Sequence, residues 1–188
     1  ETLENIYRQA LDSRGIVGLV IGTRPDCVDD DKLALLQELS QKHHVMVEYG
    51  IESVYNKTLR RVNRCHTFEE TADAIYRTAK RGLPAGGHMV FGLPGESREE
   101  MLQSSGIISK LPLTSIKFHQ LQLFKGTAMA DEYHMNPGVF KVFENNLQHY
   151  LRTGKQWEWM NENDEYYDFY QYSFDEFYGQ LVLSREIQ

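Results

Sequence analysis

An α/β fold built on a parallel sheet is the class this sequence predicts, and three observations predict it. Short apolar runs alternate four times with stretches of helical periodicity, in units of about 30 residues. Two capping boxes open helices shortly after two of the runs. The segments between runs are long enough for the crossovers that parallel neighbours require.

Residues 2–14 place Leu3, Ile6, Tyr7, Ala10 and Leu11 at helical spacing, and Gly15 stops them. Ile16 to Ile21 is continuously apolar, the pattern of a strand buried on both faces. Gly22-Thr23-Arg24-Pro25-Asp26 is a loop, and Asp29 to Asp31 cap a helix striped by Leu33, Leu35, Leu36 and Leu39. Val45 to Ile51 reads as the second strand. Thr67-Phe68-Glu69-Glu70 then opens a helix to about residue 81. Leu83 to Phe91 is the third strand, and Ser97-Arg98-Glu99-Glu100 opens a helix to about residue 110. Ser115 to Phe124 is the fourth strand, and a last helix is expected over about 138–153.

With 188 residues, 41% hydrophobic and 25% charged, the chain suits one globular domain. The counts of 14 Gly, 5 Pro and 2 Cys exclude a collagen-like fibre, wholesale disorder and a disulfide scaffold. Two cysteines, Cys27 and Cys65, cannot by themselves complete a four-ligand zinc site or a cubane cluster. No run approaches the roughly 18 apolar residues of a membrane span, and the amino end carries no signal-peptide pattern and no initiator Met. The expectation is a cytoplasmic protein, represented here by a piece of it.

The net charge of −7 argues against general nucleic-acid binding through phosphates. It is also uneven. Residues 144–188 hold nine acids against three Lys or Arg, and eleven of the 22 aromatic residues. This divides the chain into a nearly neutral 1–143 and an acidic, aromatic C-terminal segment at 144–188. That segment suits packing on the main body, on a partner, or on a second copy of the chain.

Alternation puts Val45, Val47, Tyr49 and Ile51 on one face of the second strand, and Met46, Glu48, Gly50 and Glu52 on the other. An unpaired carboxylate in a sheet core costs several kcal/mol, on the order of 3–5. Glu48 therefore either pairs with an internal Lys or Arg or faces a ligand cavity. His88 shares a face with Val90 and Gly92, and Lys117 with His119 and Leu121. Together Glu48, His88, Lys117 and His119 predict one polar interior, roomier than a closed barrel packed with apolar side chains. An open doubly wound sheet and part of a (β/α) barrel both satisfy the pattern, and in both the working surface lies beyond the carboxyl ends of the strands.

Gly92-Leu93-Pro94-Gly95-Glu96 follows its strand directly. It is either a tight turn requiring positive φ or a backbone approach to a cofactor, and it lacks the Gly-Lys-Ser/Thr ending of a phosphate loop. Thr23, Arg24 and Asp26 can bind an anion or pair among themselves. Cys27 has no evident His partner for nucleophilic work.

Five strings occur in order at suitable spacings: Gly22-Thr23-Arg24-Pro25-Asp26, Glu48-Tyr49-Gly50-Ile51-Glu52-Ser53, Asn63-Arg64-Cys65-His66-Thr67, His88-Met89-Val90-Phe91-Gly92-Leu93-Pro94-Gly95-Glu96, and Lys117-Phe118-His119-Gln120-Leu121. The set resembles the radical S-adenosylmethionine (SAM) superfamily over roughly residues 1–143. Within it, the set resembles an iron–sulfur oxidoreductase branch related to elongator-type and coproporphyrinogen-oxidase-type enzymes. The resemblance implies a partial (β/α)6 barrel, of TIM-barrel type, with this chain supplying strands three to six. It implies a [4Fe-4S] cluster that cleaves S-adenosylmethionine to a 5'-deoxyadenosyl radical, a reductant such as flavodoxin or ferredoxin, and hydrogen abstraction from a substrate.

Carried over by resemblance, Glu48, then Glu52 and Ser53, contact the methionyl or ribose part of the cofactor. Gly92 and Gly95 let the backbone approach adenine, while Arg24, His88, Lys117 and His119 line the cavity. The family's three-cysteine motif is absent from this chain, so no metal ligand is assigned here, and Cys65 stands where relatives have glycine. Two other readings fit the residues alone: a non-redox barrel enzyme using Glu48 and His88 as acid and base, and a binding module whose interface is the aromatic segment.

Overall fold

A computed structural model of the chain describes residues 2–143, with Asn145 and Arg152 beyond them. Four parallel strands form one sheet in the order β1-β2-β3-β4: β1 (Gly18–Thr23), β2 (His44–Glu52), β3 (Ala85–Phe91) and β4 (Ser115–Gln120). Sequence neighbours are spatial neighbours, each joined through helix. Helix α1 (Leu3–Asp12) precedes the sheet. A 3-10 turn at Pro25–Cys27 and α2 (Asp30–Leu39) connect β1 to β2. Helices α3 (Asn56–Arg61) and α4 (Phe68–Lys80) connect β2 to β3, and α5 (Arg98–Ile108) connects β3 to β4. Helix α6 (Ala128–Met135) and a 3-10 turn at Pro137–Phe140 follow the last strand.

The caps form as the sequence predicts. Thr67 and Glu70 close a reciprocal box on α4, Ser97 and Glu100 do the same on α5, and Asp29 accepts from the backbone N–H of Lys32 at 2.9 Å. Each cap satisfies amide groups that the first helical turn leaves without partners.

One face of the sheet carries the core. Val45, Val47, Tyr49 and Ile51 on β2 pack with Leu33, Leu36 and Leu39 of α2, Ala74 and Ile75 of α4, and Ile108 of α5. The phenol of Tyr49 reaches Thr78 Oγ1 at 2.7 Å, which satisfies its polar tip inside this core. A second apolar cluster, of Leu93, Leu121, Leu123, Tyr133, Phe140 and Phe143, lies beyond the carboxyl ends of β3 and β4.

Three expectations are corrected. The first strand is not buried on both faces: Val20 is 58% exposed and Val17, just before it, 83%. Like the rest of the sheet it has a helix-covered face and an open one, which a continuous apolar run cannot reveal. The fourth strand stops at Gln120, and Leu121 to Leu123 turn instead into the second apolar cluster. Residues 137–140 form a 3-10 turn, so the helix expected over 138–153 starts only after it; Lys141, Val142, Phe143, Asn145 and Arg152 are helical, and the rest of that range lies outside the described residues, as does nearly all of the acidic aromatic segment. Helices α3 and α6 were not expected at all; they are six and eight residues long, too short for a periodic signal.

Candidate functional site

The face of the sheet opposite the helices carries the polar side chains. Parallel register places Gly22 beside Glu48, Glu48 beside Gly86, His88 beside Lys117, and Val90 beside His119. Because alternate residues share a face, Glu48, His88, Lys117 and His119 converge from three adjacent strands. Gly86 is what lets them meet. A Cβ there would lie 2.7 Å from Met46 Cε, 2.9 Å from Ser115 Oγ and 3.0 Å from Glu48 Cγ, so only glycine leaves the carboxylate room to reach across.

Lys117 Nζ donates to both oxygens of Glu48, at 2.8 Å to Oε1 and 2.9 Å to Oε2. His88 Nε2 lies 3.0 Å from Glu48 Oε2, and His88 Nδ1 lies 2.9 Å from His119 Nε2. The planes of the two imidazole rings lie within 21° of each other, with centroids 5.0 Å apart. The hydrogen bond from Lys117 holds the Glu48 carboxyl below its ordinary pKa against partial burial, which acts the other way, and the bond from His88 adds to the lowering. His119 is exposed by area. Enough protein nonetheless surrounds its ring that desolvation, followed by the repulsion of His88, lowers its pKa.

The remaining candidates sit at the carboxyl ends of the strands, each with its own partner. Glu52 adopts a left-handed φ of 64° at a register shift in β2, and its Oε1 lies 3.4 Å from Arg64 Nη2. The same guanidinium donates to the carbonyl of Gly50 at 3.1 Å. Such a bulge re-aims a side chain, here turning Glu52 at the rim. Ser53 is buried, and its hydroxyl donates to Glu96. Arg24 forms a two-pronged pair with Asp26, Nε to Oδ1 at 3.0 Å and Nη2 to Oδ2 at 2.8 Å, which raises the guanidinium pKa and lowers the carboxyl pKa.

Gly92 and Gly95 both have positive φ, 88° and 85°. The turn reading of that loop is therefore realised. The N–H of Gly95 donates to the Val139 carbonyl at 2.7 Å, and a Cβ on Gly92 would stand 3.6 Å from both Leu121 Cβ and the Phe143 backbone nitrogen. Two participants were not singled out from sequence, although both lie inside quoted strings. Arg64 ties Gly50 to Glu52, and Glu96 anchors Ser53. A sequence can show that a charged residue follows a turn, but not that the chain folds over it.

On the helix-covered side a cavity of about 260 Å³ opens between α1, β1 and α2, lined by Tyr7, Ile21, Cys27, Val28, Lys32 and Leu36 among others. It is mostly apolar and separate from the polar face. No helix among the described residues is long and apolar enough to cross a membrane.

The profile of the radical SAM superfamily matches residues 2–105. The chain belongs to the radical SAM superfamily. An uncharacterized protein of Methanocaldococcus jannaschii is 37% identical over 134 residues, covering 71% of this chain and 42% of that protein. Protein YhcC of Escherichia coli K12 is 40% identical over 131 residues, covering 69% and 42% respectively. The chain thus spans less than half the length of these curated relatives. Among solved structures, N-terminally truncated archaeal Elp3 of Methanocaldococcus infernus superposes with TM-score 0.58 at 26% identity, over 66% of this chain and 29% of that one. Coproporphyrinogen III oxidase HemN of Escherichia coli, described as a radical SAM enzyme, gives TM-score 0.53 at 15% identity over 78% and 36%, a likeness of fold alone. The four-stranded sheet is accordingly part of a radical SAM (β/α) barrel.

The superfamily's iron–sulfur cluster does not fit the residues of this chain. Cys27 and Cys65 are both free, and no three His, Cys, Asp or Glu among the described residues are placed to hold a metal ion. S-adenosylmethionine does fit the donor set. An ionised carboxylate stands on an open face with imidazole and ammonium groups beside it. A Cβ on Gly22, the register neighbour of Glu48, would meet nothing within 4 Å, so that flank of the carboxylate is unfilled.

Proposed function

We propose that this chain forms the S-adenosylmethionine- and substrate-facing wall of a radical SAM enzyme whose cluster-binding part lies elsewhere. The observation that carries the reading is the convergence of Glu48, His88, Lys117 and His119 on the sheet face that the described helices leave uncovered. In a closed core such a set would carry a large desolvation cost; at the wall of a ligand cavity it serves as recognition chemistry. When bound, S-adenosylmethionine supplies a 5'-deoxyadenosyl radical after one-electron reduction, for hydrogen abstraction from a substrate.

Glu48 is the main cofactor contact. A carboxylate offers about four lone-pair directions, and Lys117 and His88 together donate three hydrogen bonds to it, so Oε1 keeps capacity for a ribose hydroxyl or an ammonium group. Lys117 keeps the carboxylate ionised, and His88 fixes its rotamer. At the rim, Glu52 completes the polar contacts to the cofactor, held by Arg64, while buried Ser53 acts from beneath by fixing the end of β2 against Glu96. Gly92 and Gly95 shape the turn that brings backbone toward the adenine, and Arg24 extends the polar lining on the β1 side. A flavodoxin or ferredoxin is the expected class of reductant.

The test is reconstitution of the full-length protein with iron and sulfide under anaerobic conditions, followed by reduction and assay for 5'-deoxyadenosine. Formation of a cluster together with product supports the reading. A protein that forms no cluster, or a cluster with no product, excludes it.

A further inference from the structure

Three side chains on the open face form a line. Glu48 Oε2 is 3.0 Å from His88 Nε2, and His88 Nδ1 is 2.9 Å from His119 Nε2. The protons along that line follow from its inner end. Lys117 keeps Glu48 ionised, and an ionised carboxylate only accepts hydrogen bonds, so His88 carries its proton on Nε2. His88 Nδ1 is then a bare lone pair that can be satisfied only by a donor, which requires His119 to carry its own proton on Nε2. The outer nitrogen, Nδ1 of His119, is left as a lone pair at the end of the line.

We infer that Glu48, His88 and His119 form a proton relay, with His119 Nδ1 as the terminal base for a substrate that presents an O–H or N–H group to this face. The step balances within the three residues. The substrate X–H bond breaks and an N–H bond forms at His119 Nδ1. The proton on His119 Nε2 passes to His88 Nδ1. His119 ends neutral in its other tautomer, His88 ends as an imidazolium beside the Glu48 carboxylate, and the substrate atom keeps the electron pair. The positive charge moves inward, away from a ring whose surroundings disfavour it and toward the carboxylate that stabilises it.

The groups facing His119 are Glu48 and Glu52 from β2, His88 from β3 and Lys117 from its own strand. The two carboxylates favour its charged form. Burial, His88 and Lys117 oppose it, and burial is the largest influence. At neutral pH the ring is therefore uncharged and available as an acceptor.

The inference rests on reading this face as the binding wall, but its test needs no cofactor. In full-length protein labelled with 15N-histidine, nitrogen–proton correlation spectra should show both rings protonated on Nε2 and bare on Nδ1 at neutral pH. In Glu48→Gln, whose carboxamide can donate as well as accept, the fixed arrangement should be lost and both rings should show mixed Nδ1 and Nε2 protonation. A proton on His119 Nδ1 at neutral pH, or tautomers unchanged in Glu48→Gln, overturns the relay. Correct tautomers in a protein that makes no 5'-deoxyadenosine would support the relay and overturn the function proposed above. Product formation with the wrong tautomers would overturn the relay alone.

Discussion

The hydroxyl of Ser53, buried at the end of β2, donates to the carboxyl of Glu96, itself buried on the turn after β3. The bond ties the carboxyl ends of two adjacent strands together beneath the rim of the site. Desolvation raises the Glu96 pKa above the ordinary glutamate value, with the hydrogen bonds from Ser53 and Thr58 only partly offsetting it.

A raised folded-state pKa means that the native protein binds this proton more tightly than the unfolded chain does. The resulting stabilisation is complete below the unfolded pKa, about 4.3, and is lost as pH rises through the folded value. Glu96→Gln keeps the shape without the charge. Urea unfolding should therefore show the variant gaining on the wild type between pH 4 and pH 7. A stability difference independent of pH would mean that Glu96 is not desolvated.

The buried pair Tyr49 and Thr78 should respond asymmetrically to mutation. Thr78 Oγ1 already donates to the Ala74 carbonyl at 2.8 Å, so the Tyr49 phenol is the donor in their 2.7 Å contact. Tyr49→Phe removes a donor and leaves Thr78 with its own proton satisfied, at a cost of about 1 kcal/mol. Thr78→Val strands a buried phenol and should cost about 1–3 kcal/mol. Equal costs in matched urea titrations, or the reverse order, would contradict this assignment of donor and acceptor.

Much of the site was legible because strand alternation is a strict rule. Once Val45 to Ile51 reads as a strand, Glu48 must oppose Val47 and Tyr49, and the same parity puts His88, Lys117 and His119 inward. Parity says nothing about where the chain goes next. The left-handed turn at Glu52, the Arg64 bridge and the anchoring of Ser53 by Glu96 depend on contacts 12 to 43 residues apart in sequence. The open side of β1 was illegible for a different reason: a strand covered on one face and a strand covered on both can have the same apolar composition.

Gly86 is the position at which a small substitution should reach the site without replacing any charged residue. An alanine Cβ would press on Met46 Cε and Ser115 Oγ, which can rotate away, and on Glu48 Cγ, which is held by Lys117 and His88. Gly86→Ala should destabilise by about 1–2 kcal/mol, and Gly86→Val by about 2–3 kcal/mol, as overpacking does. Because Glu48 is displaced, binding of S-adenosylmethionine should weaken in both variants by more than in a surface control of equal stability. Affinity that followed stability alone would separate Gly86 from the site.

Glu48→Gln offers the most direct test of the cofactor assignment, because the fold has little stake in that charge. Lys117 is half exposed, so its pair with Glu48 contributes at most about 1 kcal/mol to folding. The lowered Glu48 pKa makes even that contribution present above the unfolded carboxylate pKa and lost as pH falls through the folded one. The variant should unfold at nearly the same urea concentration as the wild type at neutral pH. A cofactor hydroxyl or ammonium group bound to a carboxylate is worth about 1.5–3 kcal/mol, so S-adenosylmethionine affinity measured by calorimetry should fall roughly 10- to 100-fold. Undiminished affinity in a correctly folded variant would remove Glu48 from the cofactor contacts and leave its carboxylate solely as the inner anchor of the two histidines.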